Sequence, residues 1–413
     1  MSQTCQRVLI VGGGPVGLAT ALTLSSAGVP VVVVEKGDWP QDKVCGEGVM
    51  PTGVDFLRRF GVLDHLPEDQ FWPFRGIRYR EPGGIIAQAD FASGPGLGIR
   101  RLALSHALVE TLRHHPSVAL RSHTRLVALQ QDGAAVHVGL ARHGSTSDVS
   151  HETFCFLIAA DGRRSTVRRL AGLCAPSPGR QQRMGARQHL ALAPWHSYVE
   201  VWWQYGIEAY FTPSGPEQIE VAFLWDRQRC RPPVHQGLTG LLSIFPQLAA
   251  QVQHAATRSH LRGLGPLAVA AARPVAGRIL LIGDALMFLD GLTGEGLSIG
   301  FAQAELVAQH LPPLYDLTRL DANALLPLAT ALRHRLAAHL GVTRLALDLT
   351  RHPWLRTLSM RALSRAPGLL QHALEVNMGT RRPWPIPLSS VPRLAWGLML
   401  PRRAAPFKAG SSS

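Results

Sequence analysis

VLIVGGGPVGLATALTLSSAGVPVVVVEK, residues Val8 to Lys36, decides the fold. The apolar run from Val8 to Val11 leads into Gly12-x-Gly14-x-x-Gly17. A helical apolar pattern follows through Leu18, Ala21, Leu22 and Leu24, Gly28 breaks it, and four valines then end at Glu35. Strand, glycine turn, helix and strand is the order that a dinucleotide-binding fingerprint needs. Gly12 permits the tight turn, Gly14 lets backbone approach a pyrophosphate, and Gly17 lets helix and strand pack closely. The helix opening at Pro15 and Val16 turns free N–H groups and a partial positive charge toward that group. Glu35, with Lys36 beside it, is placed to accept hydrogen bonds from ribose hydroxyls. The plain alternative is a glycine-rich turn with no ligand.

Composition narrows the class. The 413 residues, 46% of them hydrophobic, can bury a large core in two or three structural units. The formal net charge is +14, and Lys36, Lys43 and Lys408 are the only lysines, so arginine carries the excess. The arginines are spread out rather than clustered with aromatics, which argues against nucleic acid and leaves a surface that attracts anionic substrates or anionic lipid. Cys5, Cys45, Cys155, Cys174 and Cys230 form no C-x-x-C, zinc spacing or disulfide framework, so no metal is expected and a reducing cytoplasm fits. The first strand follows soon after Met1 and no long apolar run is present, so neither a signal peptide nor a transmembrane helix is expected.

After Glu35 a loop carries Lys43-Val44-Cys45-Gly46-Glu47-Gly48. It fits backbone pressed against something flat or charged, or an ordinary surface loop. The pattern predicts a helix from Pro51 to Gly61, short strands over 75–100, and a helix over 102–114 with Arg101 just before it. Strands follow over 118–120, 125–130, 135–140 and 154–160. The last ends in Asp161-Gly162-x-x-Ser165, where Asp161 or Ser165 can cap the next helix. From Met184 to Trp225 alternation without helices predicts an inserted antiparallel sheet of about four strands. Residues 234–256 read as helical and 261–269 as a strand returning to that sheet. A strand over 278–282 ends in Gly283-Asp284, and Leu292-Thr293-Gly294-Glu295-Gly296 leads into a helix over 297–310. The pattern is helical over 321–377, and the tail from Arg381 is proline-rich with Trp384 and Trp396.

Three distant motifs in one order carry a resemblance: the Gly12–Gly17 fingerprint, Asp161-Gly162-x-x-Ser165-x-Val167-Arg168, and Gly283-Asp284 followed by Gly294-x-Gly296. Over roughly residues 6–310 the chain resembles the flavoprotein hydroxylase superfamily typified by p-hydroxybenzoate hydroxylase. Cys45-Gly46-x-Gly48, Leu292 to Gly296, and Tyr210-Phe211-x-Pro213 with Ile219-Glu220-Val221 are similar to its geranylgeranyl reductase-like branch. The resemblance implies FAD, with Asp284 on a ribityl or ribose hydroxyl, Arg101 near the phosphates and Val127 beside the adenine. It implies that Gly294, Gly296 and Leu297 open a helix facing the flavin N1–C2=O edge, and that Cys45, Gly46 and Gly283 also line the cofactor. Asp161 would touch FAD and a nicotinamide cofactor, or serve only as a cap. Met287, Gly291 and Ser298 stand where the hydroxylases usually have histidine, proline and asparagine, which favours the reductase-like branch. Trp202-Trp203 lacks the spacing of the halogenase motif.

The expected fold is α/β. A Rossmann-type FAD-binding domain comes from residues 1–75, 100–180 and 270–315. An inserted antiparallel substrate sheet comes from 76–99 and 181–269, and a helical C-terminal cap and tail from 316–413. The leading expectation is an FAD-dependent monooxygenase that hydroxylates or epoxidises a lipophilic aromatic, polyketide or prenylated metabolite through a C4a-hydroperoxyflavin. The alternative is an FAD-dependent reductase that saturates isoprenoid double bonds, and a third reading is a flavin-binding protein without turnover. No second fingerprint follows a strand, so NAD(P)H binds transiently or a partner reductase supplies electrons.

Arg187 and His189 alternate on one strand and share a face, beneath the flavin or toward solvent. Tyr210 and Pro213 belong where the sheet meets the flavin. Cys45, His189 and Glu295 are candidates for chemistry, each with a plainer role in packing, at the surface or on a helix dipole. The aromatic run Trp202, Trp203, Tyr205, Tyr210, Phe211, Phe223 and Trp225 suits a lipophilic substrate, although alternation commits half of it to the core. Arg351, Trp354, Arg356, Arg361 and Arg365 suit peripheral contact with a membrane, or packing of these helices onto the flavin domain.

Overall fold

Strands Val8–Val11, Val31–Val34 and Phe156–Ala159 are buried at every residue, as parallel strands covered on both faces must be. They form the centre of a six-stranded sheet in a computed structural model that describes residues 7–142, 148–175, 183–314 and 323–383. The order is 275–276, 279–281, 156–159, 8–11, 31–34, 118–121, parallel throughout except at the 275–276 edge. Alternation splits each strand between two cores. Val8 and Ile10 pack with Leu18, Leu104 and Phe301 of helices Pro15–Ser26, Arg101–Arg113 and Gly296–His310. Leu9 and Val11 pack with Leu126, Val138 and Leu140 of a three-stranded antiparallel sheet. That sheet includes Val149–Phe154, which the sequence pattern does not disclose: it is an edge strand with one fully buried residue.

The inserted unit is larger and less uniform than expected. Strands Arg183–Ala191, Gln218–Asp226, Ile207–Gly215 and Tyr198–Gln204 are antiparallel neighbours. Gly76–Arg80 then joins Tyr198–Gln204 in parallel, with Ile86–Asp90 beyond it, giving one mixed sheet. One face, with Ile207, Ala209, Phe211, Val221 and Phe223, is sealed by helices Gly237–Leu242 and Pro246–Val252. The opposite face meets the parallel-sheet domain. Helices Leu326–Arg351, Pro353–Arg365 and Pro367–Met378 pack over Gly296–His310 and Ile86–Asp90. The tail containing Trp384 and Trp396 lies outside the described residues.

Candidate functional site

Strands 8–11, 156–159 and 279–281 are neighbours, so all three motifs leave from adjacent carboxyl ends, the edge at which open α/β sheets bind ligands. The approach is close. A Cβ added at Gly12 (φ +105°) would lie 2.5 Å from the Ala160 oxygen, and one at Gly283 3.2 Å from Val16. Arg168 ties the second motif to the third by donating to the carbonyls of Ala285, at 2.7 Å, and Arg163. Ser165 is the N-cap of that helix, its hydroxyl accepting Arg168 N–H at 2.9 Å, and Asp161 assists by accepting the N–H groups of Thr166 and Val167 at 2.7 and 3.2 Å, while its Oδ1 is buried without a partner. Glu35 is already engaged: it accepts Gly13 N–H at 2.8 Å and Gly37 N–H at 3.3 Å. Each of its oxygens accepts one of these bonds, which leaves acceptor sites on the carboxylate for a ribose hydroxyl.

Two cations stand at the helix N-terminus. A Cβ at Gly14 would lie 3.4 Å from Lys43 Nζ and 4.0 Å from Arg101 Nη2. Arg101 is buried, and its Nε has no partner. Burial lowers its pKa against the pull of Cys45 and Asp284. Asp284 is half-buried, and among the described residues its carboxylate accepts no hydrogen bond; burial pushes its carboxyl upward while Arg163, Arg101 and Lys43 pull it back. Gly294 takes φ +67°, and Cβ atoms at Gly46, Gly162 and Gly296 would meet nothing within 4 Å. Leu297 packs half-buried against the core of the parallel-sheet domain. Lys36 and Val127 line an open cavity of about 340 Å³ with Arg125, Leu126, Thr166 and Arg169.

Across the opening lies the polar face of the inserted sheet. The Tyr210 hydroxyl donates to the Leu292 oxygen at 3.2 Å. Pro213 alternates away from Tyr210, and a Cβ at Gly98 would lie 1.7 Å from its carbonyl oxygen, so its backbone faces strand Gly96–Ile99. Arg187 and His189 are buried, not solvent-facing. His189 Nε2 lies 2.9 Å from Glu47 Oε2 and 3.4 Å from Glu220 Oε2, while Nδ1 lies 3.0 Å from Ser259 Oγ and 3.0 Å from Arg187 Nη1. Burial alone would lower the imidazole pKa, but hydrogen bonds with Glu220 and Glu47 raise it. Glu220 is pushed up to about 7 by burial and by Glu47.

Glu47, His189 and Glu220 place ligand atoms within 4.8 Å of one another, a grouping that no spacing in the sequence announces. Arg187 supplies the cation there: its Nε is 3.7 Å from Glu220, and it also pairs with Asp42. A guanidinium cannot accept a hydrogen bond. When its N–H points at Nδ1, the imidazole proton sits on Nε2, facing the carboxylates.

The family profile described as an FAD binding domain matches residues 6–316. The chain belongs to that family. The flavoprotein is 32% identical over 171 residues to 6-methylpretetramide 4-monooxygenase of Streptomyces rimosus, covering 40% of each chain. It is 33% identical over 179 residues to para-nitrophenol 4-monooxygenase of Pseudomonas sp. strain WBC-3, covering 41% of this chain and 43% of that one. The match thus spans about two fifths of the length of these relatives. The solved p-nitrophenol 4-monooxygenase of Pseudomonas putida DLL-E4 shares the fold, with a TM-score of 0.75 at 22% identity over 90% of this chain and 96% of that one.

The residues fit FAD. A buried guanidinium with an unpartnered Nε and an ammonium beside Gly14 suit a diphosphate, the open carboxylate of Asp284 suits a hydroxyl, and the side-chain-free space at Gly46 and Gly296 admits a flat ring. Several residues that build this cradle carry no sequence motif. Trp39 Nε1 donates to the Gly13 oxygen at 2.8 Å, and Gln303 accepts Gly283 N–H at 2.6 Å. Ser298, in place of the usual asparagine, accepts Met50 N–H at 3.2 Å. Arg183, buried, pairs with Glu208 at 2.8 Å and with Asp290 at 3.0 Å, a few residues before Gly294 and Gly296. For Arg183 and Glu208 the only signal is a charge inside a largely apolar strand, and Trp39, Gln303 and Ser298 carry none.

Glu295 is buried at the N-cap of helix Gly296–His310, with Oε2 unpartnered. Burial pushes its carboxyl from 4.5 up to about 8, with Arg335 pulling down. The folded chain keeps a proton there that the unfolded chain releases above pH 4.5. The contribution to stability is therefore full below that pH and is lost as pH rises toward about 8, with a slope of up to about 1.4 kcal/mol per pH unit. Glu295→Gln is expected to flatten the profile and to be at least as stable as wild type at the alkaline end. Urea unfolding across this range checks it, and an unchanged slope overturns it.

Proposed function

We propose that this flavoprotein is an FAD-dependent monooxygenase acting on a lipophilic aromatic or polyketide-like substrate, with NAD(P)H as a transient electron donor. One observation carries the reading. Open space at Gly46 and Gly296 adjoins segments that touch a sheet face carrying Tyr210, Leu224 and the His189 cluster, through Tyr210 on Leu292 and His189 on Glu47. A Cβ at Gly291 would lie 3.6 Å from Leu224, so that face closes directly over the loop. The relatives' names point the same way, since 6-methylpretetramide is a polyketide and nitrophenol an aromatic.

Bound FAD, once reduced, supplies the chemistry that activates O2 and passes on one oxygen atom. The chain's own residues hold and shield it. Lys43 and Arg101 anchor the phosphates, and the helix beginning at Gly296 offers N–H groups to negative charge on the ring. Tyr210 and the Arg183–Asp290 pair fix the loop between them. His189 keeps one proton on Nε2 against Glu47 and Glu220, on the substrate side of the cleft.

The reductase-like branch gains no support from these likenesses. The Cys45 thiol, pushed up to about 11 by burial, is a weak acid for protonating a reduced double bond; it serves as a wall of the cleft. The decisive measurement follows oxygen uptake and NAD(P)H oxidation together while lipophilic aromatics are screened. Substrate-stimulated consumption of one O2 per NAD(P)H, with an added oxygen in the product, is expected. Saturation of a prenyl double bond without oxygen would establish the reductase instead. Bleaching of the flavin only after a second protein is added would assign the electron supply to a partner reductase.

A further inference from the structure

A cationic and aromatic surface forms where three segments distant in sequence meet. The first is the hairpin tip between strands Tyr198–Gln204 and Ile207–Gly215, where Tyr205 is 54% exposed. The second is the turn after Gln218–Asp226, which exposes Arg227, Arg229 and Arg231. The third is the corner between helices Leu326–Arg351 and Pro353–Arg365, where Trp354 is 69% exposed and Leu358 stands one turn further along the same helix face.

Hydrogen bonds and close packing weld these segments into one surface. Asp226 N–H donates to the Gly206 oxygen at 2.9 Å, and a Cβ at Gly206 would lie 2.8 Å from Arg229 Cβ. Arg229 Nη1 donates to the Arg351 oxygen at 3.0 Å. Arg356, expected on the outside from its charge, is buried and donates to the Gln204 oxygen at 3.3 Å, fastening the helix corner to the hairpin. Little negative charge opposes the arginines. Over residues 204–207, 226–236 and 344–361 the only carboxylates are Asp226 and Asp348. Asp226 is buried and accepts Gln228 N–H, and Asp348 pairs with Arg351 at 3.7 Å.

We propose that this surface docks the protein on an anionic lipid bilayer. Tryptophan and tyrosine settle where a membrane turns from apolar to wet, and arginines beside them meet lipid phosphates. The charge is complementary, and the Trp354–Leu358 stripe adds apolar area that a purely electrostatic partner does not need. Among the described residues no helix is long and apolar enough to cross a membrane, so the contact is peripheral.

The test uses the full chain and vesicles of phosphatidylcholine with or without phosphatidylglycerol, read by co-sedimentation. Binding only to the anionic vesicles, weakened by added salt, is expected. Replacing Arg227 or Arg231 by Gln should weaken it about fivefold each, and Tyr205→Ser with Trp354→Ser by about tenfold or more. FAD content and unfolding midpoint, measured on the same variants, should match wild type because the replaced side chains are exposed. Failure to bind anionic vesicles overturns the proposal, and so does equal binding by wild type and the double variant. Retention of duplex DNA or an acidic protein but not of vesicles would assign the arginines to that partner instead.

Discussion

Gly17→Ala is expected to give a folded protein that no longer retains FAD. A Cβ at Gly17 would lie 2.0 Å from the Gly12 oxygen, 3.2 Å from the Gly12 carbonyl carbon and 3.3 Å from Ala160 Cβ. Neither wall can retreat. Gly12 is itself held at φ +105° against the Ala160 carbonyl, and Ala160 follows the central strand 156–159. The helix must therefore lift from the strand, and its N-terminal N–H groups lift with it, away from the cations at Gly14. Overpacking of this kind costs about 1–3 kcal/mol of stability. Since each 1.4 kcal/mol is about a tenfold change in a binding constant, misplacing the N–H groups as well should weaken FAD about a hundredfold or more. Flavin absorbance of the purified protein, followed by titration of apoprotein with FAD, measures this. Gly28→Ala is the control, because it ends the same helix at φ +79° with nothing within 4 Å of its Cβ. It should lose stability through backbone strain and keep its flavin. Wild-type FAD affinity in Gly17→Ala would remove the fingerprint from the phosphate site.

Much of this architecture was legible because its signals are local. Four consecutive valines, a glycine turn and a helical period are read within a single stretch, and strand ends carry the three motifs, so their meeting at one sheet edge follows from topology. What was not legible depends on pairings between distant segments. Strand 76–80 joins 198–204 in parallel more than a hundred residues later, where no hairpin fixes the direction. Alternation put Arg187 and His189 on one face, but only the register that sets His189 opposite Glu220, and the loop that brings in Glu47, determines that both are buried among carboxylates. The same parity turns Trp202, Phe211, Phe223 and Trp225 toward the covering helices and leaves Trp203 and Tyr210 on the other side. Arg356 looked like a surface cation because charge usually marks solvent, yet its guanidinium satisfies a carbonyl that the hairpin presents.

The same reasoning makes Arg183 the most damaging single charge to remove. It is buried between Glu208 and Asp290, and those two carboxylates hold its pKa well above the usual value in spite of desolvation. Arg183→Met fills the volume and deletes the cation, leaving two buried carboxylates with no countercharge. Breaking such a pair costs about 3–5 kcal/mol. The loss also reaches the cofactor. Asp290 Oδ1 accepts Leu292 N–H at 3.1 Å, and the Leu292 oxygen accepts the Tyr210 hydroxyl, so the segment leading to Gly294 is hung from this ion pair. Urea unfolding should show the deficit at neutral pH, and FAD affinity should fall with it. Burial already raises the Glu208 pKa above its unfolded value, and without the opposing pull of Arg183 it rises further, so protonation favours folding. The deficit should therefore shrink as pH falls toward 5, and Glu208→Gln with Asp290→Asn in the same chain should recover most of it. A deficit that ignores both pH and the amide replacements would mean that lost packing, not stranded charge, is what Arg183 prevents.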